Sequence, residues 1–530
     1  MFASRASRRA HAIVHHIRSL SSASTSTSTS TPAAASRFEP PPLAAAAVGV
    51  LGIGLAAYTV FSTSPDAVKL FQTLSQTSSA VADPSLDECA KDSAETRARR
   101  LSRWLETNGG VLHHIALRPS ASGVSAYYDA QVKHAYASAL PRRRGKEEEV
   151  MRVPASAAVN AATCARHPEL GSTYEALMRE GKIDERLAVM LFLMIERRRG
   201  EQSAWKEYID CLPRTFDVPL YFDDDELERE LKGTTLYGAA KAQRVAVKKV
   251  FEESVKGAFA ELVKAENKAG GNVREPASIE EFKWAYAAFW SRALAIPVER
   301  GAHVLESIVP GIDMINHVVD AKYANARWEY VEDPSRADGG FIALVTPKNR
   351  ALENGEELFI HYGDKSNEEL LFAYGFAVDG NENDVLVLQP PWANEPVDER
   401  SMDVRARVAA LAARGLPQHV TLPRVPPRRG FRDFDKVTQE TLQIWVDDDV
   451  SLPKKPTAET AFRAHARLRA ALGAQSSALR ALERERPFDT PDSTVHQTSP
   501  SRARACRAYR RSSRASLDAY VDAASRWFAR

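Results

Sequence analysis

The stretch GEELFIHYGDKSNEELLFAYGF, residues 355–376, places a Gly-Glu turn before a short apolar run that ends at Tyr362-Gly363. A polar Ser-Asn-Glu-Glu segment follows, and then a second Tyr-Gly pair, Tyr374-Gly375. Apolar runs bounded by turn residues are typical of short strands. The sequence therefore predicts a strand that ends in a tyrosine, and it raises the question of what that hydroxyl contacts.

A second stretch with chemical character is VPGIDMINHVVDA, residues 309–321. Asp313, Asn316 and His317 interrupt an otherwise apolar run. Buried polar groups need hydrogen-bonding partners, so three of them in one apolar segment indicate either a polar network or a ligand site. The residues alone leave both interpretations open.

Together, the two stretches resemble the SET-domain methyltransferases, in the branch of the plant Rubisco large-subunit lysine methyltransferase and the actin-histidine methyltransferase. The resemblance rests on Asn316-His317 followed by the strand that ends at Tyr362-Gly363. Other segments occur in the family's order over roughly residues 101–525, namely WLETNGG, LAVMLFLMIERRRGEQSAWKEYIDCLP, FKWAYAAFWSR and ACRAYRRSSRASLDAY. Several coincident motifs in order are specific, whereas a lone Tyr-Gly pair is not.

The resemblance implies an α+β fold. A SET domain is expected over 101–380, built of short strands with a pseudoknot that brings Asn316-His317 beside Tyr362. A helical insertion is expected at about 165–275, and an all-α substrate-binding domain over 395–530.

The resemblance also implies S-adenosylmethionine as methyl donor and a protein that carries the target lysine as substrate. Tyr362 is then the catalytic tyrosine. The residues expected to hold the cofactor are Gly123, Arg292, Asn316, His317 and Phe376. The residues expected to line the acceptor channel are Ser291, Asp313 and Tyr374.

Two features bear on the activity that the resemblance implies. The actin-histidine branch carries Asn and Trp at the positions of Leu294 and Ile312, so an apolar channel favours lysine over histidine as acceptor. The family's Gly-x-Gly near the first strands is represented here by Gly123 and Ser125. A catalytically inactive, membrane-tethered interaction protein is therefore a second hypothesis.

Composition narrows the class of protein. The chain has 530 residues, a net charge of +2 and four cysteines. The near-neutral charge gives no global attraction to nucleic acid. The cysteines are widely spaced, which argues against a zinc site or a disulfide framework. His113 and His114 are expected on opposite faces of a strand, so no metal site is predicted.

Two further segments carry charge. The acidic run Asp223–Glu226 is expected to cap a helix, because acids at a helix start complement its dipole. The arginine-rich run from Arg502 to Arg514 is expected to form a solvated helix face, with a nucleic-acid or acidic partner surface as the less favoured interpretation.

The N-terminus is not expected to belong to the fold. Residues 1–42 are rich in Ser, Thr and Arg with a single acid, Glu39, which is typical of an organelle-targeting segment. Residues 43–61 contain no charge and would span about 29 Å as a helix, enough to cross a bilayer. We therefore expect a single membrane anchor in an organelle, with the mitochondrial inner membrane favoured and the plastid as alternative. Residues 62–100 are expected to form a linker and a helix.

Overall fold

The computed structural model describes residues 93–527, with gaps at 121–122, 135–146, 275, 299–302, 337, 348–351, 393–400, 449, 451–455 and 486–498. The predicted targeting segment (1–42), the predicted membrane helix (43–61) and most of the predicted linker (62–100) lie outside these residues. Within the described ranges, no helix is both long and apolar enough to span a bilayer.

The strands are short. In chain order they are β1 (Val111–Leu112), β2 (Ile115–Ser120), β3 (Gly123–Tyr128), β4 (Glu147–Pro154), β5 (Leu294–Val298), β6 (His303–Ser307), β7 (Asn316–His317), β8 (Arg327–Glu332), β9 (Gly340–Pro347), β10 (Phe359–Ile360), β11 (Val385–Leu388) and β12 (Val420–Pro423). β1, β4, β9 and β8 form a four-stranded antiparallel sheet in that order. The pairs β2–β3, β5–β6 and β11–β12 are antiparallel ribbons.

The helices are α1 (Ala94–Thr107), α2 (Ala161–Ala165), α3 (Gly171–Arg179), α4 (Glu185–Arg199), α5 (Lys206–Ile209), α6 (Asp224–Leu231), α7 (Thr235–Val250), α8 (Lys256–Lys268), α9 (Ile279–Arg292), α10 (Asn367–Glu369), α11 (Met402–Ala413), α12 (Lys436–Val446), α13 (Ala458–Glu485) and α14 (Pro500–Trp527). A single π-helical turn, Leu370–Tyr374, continues α10. Helices thus follow one another from Ala161 to Lys268, where the insertion is predicted over 165–275.

Helix α4 is the centre of the larger core. Its residues from Ala188 to Glu196 are all buried, so the helix is covered on every side. Asp184 caps its start by accepting from the amide of Leu187, and the chain leaves it at Gly200 with φ +52°. The acidic run caps α6 as predicted, since the Asp223 side chain accepts from the Glu226 amide at 2.6 Å.

Helix α9 is shorter than the apolar stretch that contains it, residues 279–296. A capping box between Ser278 and Glu281 starts α9, and the helix ends at Arg292. Leu294–Val298 instead forms strand β5, which pairs with β6. Pro297 disfavours helical backbone at Ile296, because a proline restricts the residue before it and lacks an amide donor.

The C-terminal part carries its own core, built by α11–α14 and the ribbon β11–β12 around residues that include Trp392, Leu442, Leu468 and Tyr520. The prediction of an all-α domain over 395–530 is therefore wrong at β12, which pairs with β11. The prediction that the arginine run forms a solvated helix face is wrong for Arg502 and Arg510. Arg510 has a side chain only 1% exposed and pairs with Glu230 at 3.2 Å. Arg502 pairs with both Asp217 and Glu226 at 3.0 Å. These arginines hold α14 against the helices of the insertion.

The prediction that His113 and His114 occupy opposite faces of one strand is also wrong. The strand is interrupted between β1 and β2, and His114 has a positive φ of 61°. The two imidazole rings stack with their centroids 3.8 Å apart. A left-handed residue reverses the strand's alternation, which is why neighbouring side chains end on one side.

Candidate active site

The Asn316-His317 segment and the strand that leads to Tyr362 lie side by side. β7 and β10 pair in parallel, with Asn316 opposite Phe359 and His317 opposite Ile360. A parallel pair requires a crossover, and here β8 and β9 lie in it. On its other side, the segment before β10 bonds to the hairpin β2–β3, since the amide of Leu358 donates to the carbonyl of Ala126 at 2.8 Å. Residues distant in sequence thus meet at one place.

The Tyr362 side chain lies against the segment that leads into β7. The hydroxyl donates to the carbonyl of Ile315 at 2.7 Å, and the Tyr362 amide donates to Nδ1 of His317 at 3.0 Å. Burial, and then the neighbouring Tyr374, raise the pKa of Tyr362 well above its ordinary value. The phenol therefore stays protonated at neutral pH and acts as a hydrogen-bond donor. This answers what the strand-end tyrosine contacts.

His317 holds the aromatic part of the site together. Its ring stacks on Tyr362 with centroids 4.9 Å apart and lies 6.2 Å from the Phe376 ring. Burial, followed by the charge of His361, lowers the pKa of His317 to about 4. The imidazole is neutral at physiological pH, which fits an Nδ1 that accepts from the Tyr362 amide.

Asn316 is held by two side chains. Its Nδ2 donates to Oγ of Ser125 at 2.9 Å and to Oε1 of Glu357 at 2.6 Å. Ser125 is fully buried and donates in turn to Ser120 at 2.7 Å. The serine that replaces the expected second glycine is thus part of the network around Asn316, whereas Gly123 lies exposed at the start of β3.

Arg292 and Asp313 form a buried pair. Arg292 Nη1 donates to the carbonyl and to Oδ2 of Asp313, both at 3.1 Å, and the Tyr208 hydroxyl donates to Oδ2 at 2.7 Å. The Asp313 side chain is 0% exposed, so it lies behind Arg292 and not on an open surface. The buried Nε of Arg292 has no hydrogen-bond partner among the described residues. That unsatisfied N–H is a donor to which an anionic group can bind.

Of the three predicted acceptor-channel residues, Asp313 is buried against Arg292, and the other two, Tyr374 and Ser291, lie on separate elements. Tyr374 ends the π-helical turn, with its ring centroid 5.3 Å from that of Tyr362. Burial and the charge of Glu369 raise the pKa of Tyr374 to about 12. Ser291 lies one residue before Arg292 in α9, where its hydroxyl donates to the carbonyl of Ala287 at 2.7 Å. An apolar cavity adjoins Tyr374 and is lined by Ala287, Trp290 and Phe372 among others.

The sequence did not indicate Glu357 and Tyr208 as residues of this site, and it indicated Ser125 only as a departure from the family's Gly-x-Gly. Glu357 belongs to the GEEL turn before the strand, and Tyr208 to the quoted KEYIDCLP segment. Both were visible as polar residues next to apolar runs. Their partners were not, because those partners lie far away along the chain.

The sequence is similar to known methyltransferases over part of its length. Actin-histidine N-methyltransferase of Canis lupus familiaris is 28% identical over 201 residues, which are 37% of this chain and 30% of that protein. Ribosomal lysine N-methyltransferase set10 of Schizosaccharomyces pombe is 26% identical over 204 residues, which are 38% and 33% of the two chains. The similarity thus spans about a third of these relatives. No protein-family model matches the chain.

The fold is similar to solved structures over most of the chain. The SET domain of LSMT bound to lysine and AdoHcy superposes with a TM-score of 0.55 at 19% identity, covering 81% of this chain and 91% of that one. Rubisco LSMT bound to AdoMet superposes with a TM-score of 0.50 at 18% identity, covering 81% and 92%. The chain thus shares its fold with these SET-domain structures, and over about a third of its length its sequence is similar to methyltransferases.

Proposed function

We propose that this protein is an S-adenosylmethionine-dependent protein-lysine N-methyltransferase. One observation supports the proposal: β7 pairs in parallel with β10 and the Tyr362 amide donates to His317, so Asn316, the proposed cofactor residue, and Tyr362, the proposed catalytic residue, lie on adjacent segments. A chain that had merely kept the fold would not need a protonated tyrosine, an amide and a buried arginine in that arrangement.

The residues fit the proposed cofactor. Its carboxylate would satisfy the buried Nε–H of Arg292, which has no hydrogen-bond partner in the described part of the chain. Asp313 holds the guanidinium in place from behind. Asn316, fixed by Ser125 and Glu357, is oriented for the cofactor's polar end, and Phe376 offers an aromatic face. The relatives of this fold bind AdoMet or AdoHcy in their solved structures, which supports the same ligand here.

S-adenosylmethionine, when bound, supplies an electrophilic methyl group, and the residues of this chain must present a neutral amine to it. A free lysine has a pKa of about 10.4, so its deprotonation at pH 7 costs roughly 4.6 kcal/mol. Burial beside Tyr362 and Tyr374 removes water from the ammonium, and the positive charge of the cofactor's sulfonium repels it, so both effects favour the neutral amine. With its raised pKa, Tyr362 orients the amine through its hydroxyl and does not act as a base.

Lysine is the acceptor that the local residues favour. Ile312 is fully buried and Leu294 is half-buried, and neither side chain can hydrogen-bond an imidazole. One similar structure is bound to lysine, and set10 is named a lysine methyltransferase. Histidine is the competing acceptor, because another similar protein is an actin-histidine methyltransferase.

The decisive variant is Tyr362→Phe. Loss of one positioned hydroxyl should lower methyl transfer by roughly 100-fold or more, by analogy with removal of a single positioned donor. Binding of S-adenosylmethionine, measured by calorimetry, should stay nearly unchanged. Tyr323→Phe, at a residue 62% exposed, is the matched control and should keep full activity.

Activity is measured as radiolabelled methyl transfer to an organelle extract, followed by mass spectrometry of the labelled band. Methyl-lysine in the product supports the proposal, and methyl-histidine shifts it to the competing acceptor. Full activity of Tyr362→Phe refutes the catalytic role of the tyrosine. An absence of cofactor binding at millimolar S-adenosylmethionine favours the inactive, membrane-tethered interaction protein instead.

The proposed location is an organelle, with the mitochondrion favoured over the plastid. It rests on the composition of residues 1–42. A fluorescent reporter fused to residues 1–70 should reach the organelle and stay with its membranes after carbonate extraction. Release of the reporter into the soluble fraction would contradict the predicted anchor at 43–61.

A further inference from the structure

The backbone at His113-His114 is held in an unusual conformation. Among the described residues, His114 alone has a positive φ without being a glycine, at 61°. Such a conformation is unfavourable for a residue with a Cβ and persists only where surrounding contacts fix it. Two hydrogen bonds fix it here, from the His113 amide to the carbonyl of Val150 and from the His114 amide to the carbonyl of Val132, both at 2.8 Å.

The bend brings the two imidazole rings into contact without a hydrogen bond to either Nδ1 from the described residues. The two imidazoles stack at 3.8 Å with an angle of 28° between their planes. Nδ1 of each ring is buried and has no hydrogen-bond partner among the described residues. Oε1 of Glu148, at the start of β4, lies 3.6 Å from Nδ1 of His114, which is beyond hydrogen-bond distance. Buried polar atoms without partners are rare, so this cluster requires an explanation.

The three side chains have the spacing of a set of metal ligands. One donor atom from each of His113, His114 and Glu148 lies within 4.8 Å of the other two. Around a tetrahedral ion with ligands at about 2.0–2.1 Å, donor atoms lie about 3.3 Å apart. Binding would therefore require each pair of donor atoms to approach by at most about 1.5 Å.

We propose that His113, His114 and Glu148 bind a divalent transition-metal ion, with Zn²⁺ as the expected occupant. Two imidazole nitrogens and one carboxylate oxygen suit zinc and its neighbours and do not suit Mg²⁺ or Ca²⁺, which prefer oxygen ligands. The ion would supply the missing partner of each buried Nδ1. Glu148 has a side chain 36% exposed and that of His114 is 18% exposed, so the site is open to solvent on one side.

The site would tie elements that position the active site. It would link the β1–β2 bend to the first residues of β4. β2 continues into the hairpin with β3, whose Ser125 accepts the hydrogen bond from Asn316. We therefore expect the metal to stabilise the hairpin and to take no part in methyl transfer.

The test is zinc binding by the full-length chain. After treatment with a chelator and its removal, the protein is titrated with ZnCl2 against a chromophoric competitor, and bound metal is counted by elemental analysis. One zinc per chain and a rise in the melting temperature are expected. Co²⁺ is the second probe: a site of nitrogen and oxygen ligands gives d–d absorption without the thiolate charge-transfer band that a site at the buried Cys164, Cys211 or Cys506 would give.

Two variants remove ligands with little disturbance. His114→Asn keeps a residue that tolerates a positive φ, and Glu148→Gln keeps the shape of the side chain. Each should lower zinc affinity by roughly tenfold or more. Glu147→Gln is the control, because Glu147 pairs with Arg327 at 2.8 Å instead, and it should bind zinc as the wild type does.

Circular dichroism of the metal-free variants checks that each is folded, and His113→Gln replaces any that is not. Wild-type protein without stoichiometric zinc overturns the proposal. So does wild-type affinity in both ligand variants, or a Co²⁺ spectrum with a thiolate band.

Discussion

At the scale of single residues, the candidate site depends on protonation states that burial sets. Tyr362 is kept protonated, and His317 is kept neutral with a pKa of about 4. Both states are needed for the observed hydrogen bonds, in which the phenol donates and the imidazole Nδ1 accepts. The surroundings of each ring, and not its identity, therefore decide what it can do.

The lowered pKa of His317 predicts a dependence of stability on pH. Between the unfolded value near 6.5 and about 4, the unfolded chain binds the proton and the folded chain does not. Stability from this residue is thus complete above pH 6.5 and declines as the pH falls toward 4, with a slope of at most about 1.4 kcal/mol per pH unit.

Urea unfolding of wild type and His317→Gln over that pH range measures the effect. The variant should lose stability less steeply, because glutamine takes up no proton. His419→Gln is the positive control, since burial lowers the pKa of His419 to about 4 as well. Equal slopes in wild type and His317→Gln would mean that His317 titrates normally in the folded protein.

At the scale of elements, the hairpin β2–β3 supplies one of the two side chains that hold Asn316. Its Ser125 stands where the family pattern has a glycine, yet the side chain is fully buried and does not project toward solvent. The hydroxyl accepts a hydrogen bond from the Asn316 side chain, a contact that a glycine at this position could not make.

This contact predicts the effect of Ser125→Ala. Removing one acceptor of the Asn316 side-chain amide should reduce the binding free energy of S-adenosylmethionine by about 1 kcal/mol, which corresponds to roughly fivefold weaker binding. Ser120→Ala is the matched control: it removes the acceptor of Ser125 but keeps the bond from Asn316, so affinity should change less. Calorimetric titration measures both. If the two variants bind equally, the hairpin does not position Asn316.

At the scale of the whole molecule, α14 joins the C-terminal core to the helices of the insertion. Arg510 and Glu230 are each 1% exposed at their meeting point. Truncating one partner of a buried ion pair leaves the other charge without compensation, so Arg510→Ala should destabilise the protein by about 3–5 kcal/mol.

Arg511→Ala provides the comparison, because Arg511 is 47% exposed and its partner Asp379 is 68% exposed. An exposed pair of this kind contributes at most about 1 kcal/mol. Denaturant unfolding of the two variants should therefore differ by several-fold in the loss of stability. Similar small losses in both would show that α14 is not anchored by this pair.

The sequence by itself determined the local elements and the identity of the chemical groups. The acidic run and the turn residues predicted the start of α6 and the strand before Tyr362, since these depend on neighbours along the chain. The resemblance predicted that Asn316-His317 lies beside Tyr362. The two segments are adjacent, since β7 pairs with β10 and the Tyr362 amide donates to Nδ1 of His317.

Only the tertiary structure decided which groups meet. It placed Ser125 and Glu357 on Asn316, buried Arg510 in a helix whose composition indicated a solvated face, and stacked His113 on His114. The physical reason is that burial and hydrogen bonding between distant segments depend on the packing of the whole chain. Local sequence does not contain that information.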